Sequence, residues 1–321
     1  MKWRKLGLKF SFNKYQHLIN KKYVGFTQSP QVLVIEDRIR VYYCTRSIDN
    51  QSKYRSHVQF VDFDKSFDKI INHSKNQVIE LGDIGCFDEH GIFPFNIIRY
   101  KKNIYAYTNG WSRRVSVDIE TGIGFAQSYD NGETFIKKGR GPILSAEKSE
   151  PFLVGDAFVM YEKSKFHMYY IFGKKWFTPE KNHVAERVYK ITYAESSDGI
   201  SWNRSSHEIV KSVIDVNECQ ALPTVVKIGN VYHMYFCYRC SVGFREEKDR
   251  GYRLGYAYSN NLTDWIRDDN SAGITVSNSG WDSEMMCYPH IFKNHDGNVN
   301  LLYNGNEFGK YGFGLAILEN D

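Results

Sequence analysis

One element recurs along this 321-residue chain at a spacing of about 65 residues, and a repeat of that length restricts the fold more than any single motif. Its second half is the clearest marker. Phe125-Ala-Gln-Ser-Tyr-Asp-Asn-Gly-Glu-Thr-Phe135, Tyr193-Ala-Glu-Ser-Ser-Asp-Gly-Ile-Ser-Trp202 and Tyr256-Ala-Tyr-Ser-Asn-Asn-Leu-Thr-Asp-Trp265 each read as strand, polar turn and closing aromatic. Val58-Gln-Phe-Val-Asp-Phe-Asp-Lys-Ser-Phe67 is a fainter copy, so the closing aromatics Phe67, Phe135, Trp202 and Trp265 lie 68, 67 and 63 residues apart.

The first half repeats as well: a proline or small residue is followed about ten residues later by an aromatic strand. Pro30, Pro94, Ala157, Pro223 and Pro289 are the anchors, at intervals of 64, 63, 66 and 66 residues. Units of this length built from short antiparallel strands are propeller blades rather than helical repeats. The expected fold is all-β, a five-bladed β-propeller forming a single domain over residues 1–321. The last copy ends on Tyr311-Gly-Phe-Gly-Leu-Ala-Ile-Leu318 without a turn or final strand, and Trp3-Arg-Lys-Leu-Gly-Leu-Lys-Phe10 is expected to supply that strand and close the ring.

Composition fits short strands and tight turns, with 23 Tyr, 21 Phe and 25 Gly against 7 Pro. No apolar run of about 18 residues is present, so no membrane span is expected, and the basic N-terminus lacks the apolar stretch of a secretory signal. Cys44, Cys86, Cys219, Cys237, Cys240 and Cys287 have no framework spacing, which points to free thiols in the cytoplasm. Cys237-Tyr-Arg-Cys240 has no second pair to complete a metal site. Net charge is +5 with both signs interspersed, the pattern of a soluble surface rather than a nucleic-acid footprint. No phosphate-cradling glycine loop stands between strand and helix, so no nucleotide cofactor is inferred, and no ligand spacing demands a metal.

In a propeller the inner strands converge on one funnel, where residues far apart in sequence meet. Glu89, Glu218 and Glu284 each lie five residues before Pro94, Pro223 and Pro289, and the third copy offers Asp156 and Glu150 instead. Carboxylates gathered there suit glycosidic chemistry, which needs one protonated and one ionised carboxyl group. The surrounding segments carry groups that hold polyols: Asp88, His90, Trp111, Trp281, Asp282, Tyr288, Asn304 and Asn306 supply aromatic faces and directional hydrogen bonds. Arg46 and Arg239, at the ends of equivalent strands, suit a carboxylate or phosphate, or else a salt bridge between blades.

The Ala-x-Ser-x-Asp-Gly-x-x-Trp repeat resembles that of the five-bladed propeller superfamily of family 43 and family 32 glycoside hydrolases and their mannoside-phosphorylase relatives. Phe87-Asp-Glu-His-Gly-Ile-Phe-Pro94, Glu150-Pro-Phe152, Gly280-Trp-Asp-Ser-Glu-Met-Met286 and Leu302-Tyr-Asn-Gly-Asn306 with Gly312-Phe-Gly314 look like uncharacterised bacterial propellers associated with surface-polysaccharide synthesis. The resemblance implies that Asp156, in Gly155-Asp-Ala157, orients substrate and tunes the acid, and that Glu218, in Asn217-Glu-Cys219, is the acid. Ser29-Pro30 departs from the family's Asp-Pro, and serine does not easily replace a carboxylate base. Glu89 or Glu284 then takes that task, or the standard hydrolysis is not performed.

The leading expectation is a glycosidase-like enzyme acting on a carbohydrate or sugar-nucleotide ligand, with Glu218 as acid, Asp156 as its orienter and Glu89 or Glu284 as base or nucleophile. The alternatives are a glycan-binding propeller without chemistry, and a sugar lyase or isomerase using Asp88, Glu89 or His90 for proton transfer. Carboxylates consumed by arginines or backbone amides would count against the catalytic assignment.

Overall fold

The computed structural model describes residues 1–180 and 184–319. Strand β1 (Trp3–Phe10) opens the chain. Four strands follow in a first antiparallel unit, β2 (Gln28–Ile35), β3 (Arg38–Ile48), β4 (Tyr54–Phe63) and β5 (Ile70–His73). The second contains β6 (Gly91–Tyr100), β7 (Asn103–Arg113), β8 (Ile119–Ser128) and β9 (Ile136–Lys137). The third contains β10 (Val154–Glu162), β11 (Lys165–Phe177), β12 (Glu186–Ser196) and β13 (Asn203–Arg204), and the fourth β14 (Cys219–Ile228), β15 (Val231–Arg239), β16 (Arg253–Ser259) and β17 (Ile266–Arg267). The last unit, β18 (Cys287–Lys293), β19 (Val299–Asn304) and β20 (Phe313–Leu318), takes β1 as its fourth strand. One parallel bridge, Ser56 to Gly91, pairs strands of the first two units.

The innermost strands pack in a cycle: β2 on β6, β6 on β10, β10 on β14, β14 on β18 and β18 on β2. This arrangement is a β-propeller. Its core lies between neighbouring sheets and is built largely from aromatic side chains, Tyr42, Tyr107, Tyr169 and Tyr235 among the most buried. Each of these tyrosines reaches forward to a neighbouring unit. Tyr42 Oη donates to the Gly132 carbonyl at 2.7 Å, Tyr107 to Gly199 at 2.9 Å and Tyr169 to Leu262 at 2.9 Å. The fourth, Tyr235, donates to the Ala272 carbonyl at 2.8 Å and also accepts from Trp3 Nε1 on β1 at 2.8 Å.

The Ser-x-Asp signature serves the turn these tyrosines grip. Ser128, Ser196 and Ser259 accept the amides of Gly132, Gly199 and Leu262 at 2.8, 2.8 and 3.1 Å. Asp130, Asp198 and Asn261 accept those of Thr134, Ser201 and Asp264. The turn residue has φ of +85° at Gly132 and +78° at Gly199, where glycine is unstrained, whereas Leu262 adopts +79° with a side chain buried in the core.

Each innermost strand also carries a bulge one residue before its anchor. Register shifts fall at Gln28/Gln31, Ile92/Phe95, Gly155/Phe158, Ala221/Thr224 and Cys287/His290. Ser29, Asp156, Leu222 and Tyr288 sit there in left-handed backbone at φ of +52°, +54°, +44° and +55°, while the second unit has Phe93 before a cis Pro94. Such bulges re-aim side chains, and bulky residues hold this conformation only where surrounding structure enforces it.

Candidate functional site

The bulges open on one cavity of about 820 Å³ with residues of all five units in its wall. Phe93, Asp156, Leu222 and Tyr288, four of the five bulge residues, line it. Asp156 is its most buried acid, 8% exposed, and one carboxyl oxygen accepts the Leu222 amide at 3.3 Å. Burial pushes this carboxyl up to about 7, against the lowering effects of the Leu222 hydrogen bond and the charge of Arg187. A carboxylic acid retaining its proton near neutrality can donate it to a leaving oxygen. The other carboxylate of the wall, Glu307, sits at the rim with Lys310 Nζ at 2.5 Å and Tyr311 Oη at 2.6 Å.

The wall is otherwise basic and aromatic. Arg239, 2% exposed, donates to the Cys240 carbonyl at 2.7 Å and to Tyr189 Oη at 3.0 Å, and its guanidinium lies 3.4 Å from the Phe244 ring centre. Arg245 covers the same ring at 4.1 Å. Tyr189 and Tyr252 share a hydrogen bond of 2.7 Å. Across the cavity Arg46 lies over Phe26 at 4.1 Å and Tyr54 at 5.0 Å, with Nε donating to Gln28 at 3.1 Å. Burial pulls the Arg46 guanidinium below its ordinary value, yet arginine stays charged at neutral pH.

Of the residues singled out in the sequence, Asp156, Arg46, Arg239, Trp111 and Tyr288 line the cavity and the others do not. Four of the carboxylates form a repeated clamp instead. Asp88 pairs with Lys137 on β9 at 2.7 Å, Glu150 with Arg204 on β13 at 2.9 Å, Glu218 with Arg267 on β17 at 2.6 Å and Asp282 with Lys5 on β1 at 2.7 Å. Each joins the segment leading into an innermost strand to the outermost strand of the same unit. Glu218 also accepts the Val213 and Ile214 amides and Gln220 Nε2, so its lone pairs are consumed by an arginine and by backbone.

Glu89 accepts the Gly85 amide and lies 3.3 Å from His90, whose ring packs on Trp111. Glu284 is solvent-facing beside Lys248. With Asp88 buried against Lys137, the proton-transfer set considered for a lyase or isomerase is also away from the cavity wall. Asn304 ties β19 to β2, accepting the Ser29 amide at 2.7 Å and donating to the Thr27 carbonyl at 2.8 Å. Asn306 accepts the Glu284 and Met285 amides, and Trp281 stacks on Tyr303 at 5.1 Å. These side chains hold loops and sheets rather than the cavity surface.

Sequence reasoning missed Arg187, Tyr189, Asn109, Phe244 and Tyr252, which the cavity gathers from strands and a loop, although Thr121, Tyr189 and Tyr252 share one repeat position, five residues before Ala126, Ala194 and Ala257. A second signal was available. The position immediately before each anchor faces the cavity in four units, whereas the glutamates five residues before three of the anchors do not.

No protein-family model matches the chain. Over its whole length it is 29% identical to the uncharacterized protein Rv1502 of Mycobacterium tuberculosis, an alignment of 327 residues covering 100% of both chains. A shorter stretch of 132 residues is 30% identical to the Beta-1,2-mannobiose phosphorylase of Thermoanaerobacter sp., covering 39% of this chain and 42% of that protein. A solved structure described as a glycoside hydrolase superposes with a TM-score of 0.73 at 18% identity, covering 99% of this chain and 92% of its own. The chain therefore has the β-propeller fold found among glycoside hydrolases.

Proposed function

We propose that the chain is a carbohydrate-active enzyme that breaks or transfers a glycosyl bond in the central cavity, with Asp156 as the proton donor. The cyclic packing of the innermost strands supports reading the units as five blades of a ring closed by β1. The observation that carries the function is Asp156 itself, buried among aromatic and cationic groups and holding its proton up to about pH 7. The bond from the anomeric carbon to the leaving oxygen breaks as that oxygen takes the Asp156 proton. A new bond forms to an acceptor oxygen, whose proton returns to Asp156.

Glu218, Glu89 and Glu284 lie outside the wall and Ser29 occupies the bulge where the related hydrolases carry a carboxylate. The attacking group in this reading is therefore not water activated by a second deep carboxylate. The partial likeness to a mannobiose phosphorylase supports transfer to an acceptor that is already nucleophilic. Arg46, Arg239, Trp111 and Tyr288 are its ligand contacts. Six free cysteines suit action in the cytoplasm, and the resemblance to surface-polysaccharide propellers directs attention to bacterial glycans and nucleotide sugars.

The test incubates the protein and its Asp156→Asn variant with oligosaccharides, with and without inorganic phosphate, and with nucleotide sugars, reading products by mass spectrometry. Product from the wild type and at least about a hundredfold less from the variant is expected. Equal product from both removes Asp156 from the chemistry. Ser29 favours a second reading, a glycan-binding propeller, and ligand bound but recovered intact would establish it.

A further inference from the structure

Three guanidiniums in the cavity wall form no ion pair with a carboxylate among the described residues. The wall contains Arg46, Arg187, Arg239, Arg245 and Lys310 against Asp156 and Glu307. Lys310 is matched by Glu307 and Arg245 by Glu186 at 3.7 Å. No ion pair among the described residues involves Arg46, Arg187 or Arg239. Elsewhere the buried arginines Arg40 and Arg267 are paired, with Asp62 at 2.7 Å and Glu218 at 2.6 Å, the arginine side chains 0% and 3% exposed, whereas buried Lys190 donates, among the described residues, only to the Ser212 hydroxyl.

A guanidinium taken out of water without a counter-ion is costly, and aromatic faces and carbonyls offset only part of that cost. Arg239 is the most buried of the three, and its Nε has no hydrogen-bond partner among the described residues, as is also true of Arg40 Nη1 and Arg267 Nη2. Arginine's planar donor fork matches the paired oxygens of phosphate or carboxylate. Phe26, Tyr54 and Phe244, packed against these guanidiniums, add apolar surface suited to a sugar ring beside such a group.

We propose that the ligand of the central cavity includes an oxyanion, a phosphate or carboxylate group, held by Arg46, Arg187 and Arg239. The proposal rests on the cavity being the substrate site and names the chemical class it takes. Two sources share this chemistry: an acidic or phosphorylated sugar, and free inorganic phosphate acting with a neutral sugar.

Isothermal titration of the full chain with glucose, mannose, their 1-phosphates, glucuronate, mannuronate, inorganic phosphate and sulfate separates them. At least one anionic sugar or phosphate is expected to bind about tenfold or more tighter than the neutral sugars. Arg46→Gln and Arg187→Gln should each remove that preference without lowering the melting temperature, while Arg239→Lys reports the fork separately. Preference for sugar phosphates or uronates places the anion on the sugar; binding of inorganic phosphate alone with the same arginine dependence makes it a co-substrate. Equal binding of neutral and anionic sugars, a preference that survives both glutamine variants, or no binding by any probe overturns the proposal. Turnover lost in Asp156→Asn would still stand in those cases, so the two readings fail separately.

Discussion

Lys5 and Asp282 pair at 2.7 Å across 277 residues of sequence, joining strand β1 to the segment entering β18. The pair repeats at the chain termini what Arg267 and Glu218 do within the fourth unit. Asp282 is 3% exposed and also accepts from Tyr303 Oη at 3.0 Å, so the N-terminal strand is held by a buried charge as well as by its ladder. Trp3 adds a second tie through Tyr235.

Trp3→Ala should lower unfolding stability by about 3–5 kcal/mol, because it empties a core site and leaves Tyr235 without a donor. Urea titration measures this. Deleting residues 1–10 should also expose the β20 edge and produce concentration-dependent association in size-exclusion chromatography. A monomeric deletion variant of unchanged stability would show that β1 does not hold the last sheet.

Glu218→Ala should cost on the order of 3–5 kcal/mol by stranding a buried arginine, with kcat of the folded protein nearly unchanged. Glu284→Ala, at a partly exposed pair, should cost less than about 1 kcal/mol. A folded, stable Glu218→Ala protein with abolished turnover would restore Glu218 as the acid.

Asp156 makes stability depend on pH in a definite direction. Its carboxyl ionises near 3.8 when unfolded and at about 7 when folded, so the native state holds the proton longer. Stability contributed by that proton is fully present below about pH 4, declines as pH rises through the window to about 7 and is absent above it. The total is on the order of a few kcal/mol. Asp156→Asn should flatten this slope and be the more stable protein at pH 8, and wild-type kcat/KM should fall as pH rises through about 7.

Tyr42→Phe, Tyr107→Phe and Tyr169→Phe should each cost about 1 kcal/mol through loss of one bond to a neighbouring turn. The sites are in different units, so the triple variant should lose close to the sum. A triple variant as stable as the wild type would mean that these bonds do not stabilise the contacts between sheets.

The recurring residues were legible because they make the same local structure where they occur: the Ser-x-Asp or Ser-x-Asn turn in three units, the forward-reaching tyrosine in four and the bulge before the anchor in five. Shared repeat phase did not carry shared surroundings. Glu218 and Glu284 share a phase, yet one is clamped by Arg267 and the other faces solvent beside Lys248. Asp88 and Asp282, read as ligand contacts, perform the clamp in their own units.

The sequence by itself determined the repeat, the β architecture and the N-terminal strand that completes the last sheet, because turn chemistry and strand patterning act over short stretches of chain. The tertiary structure decided which charges face the cavity. Asp156, Arg46, Arg187 and Arg239 come from different strands and face one cavity, while other carboxylates are drawn to cations on outer strands. Whether a charge is buried, paired or left to the cavity depends on distances between sheets, and residue spacing along the chain does not specify them.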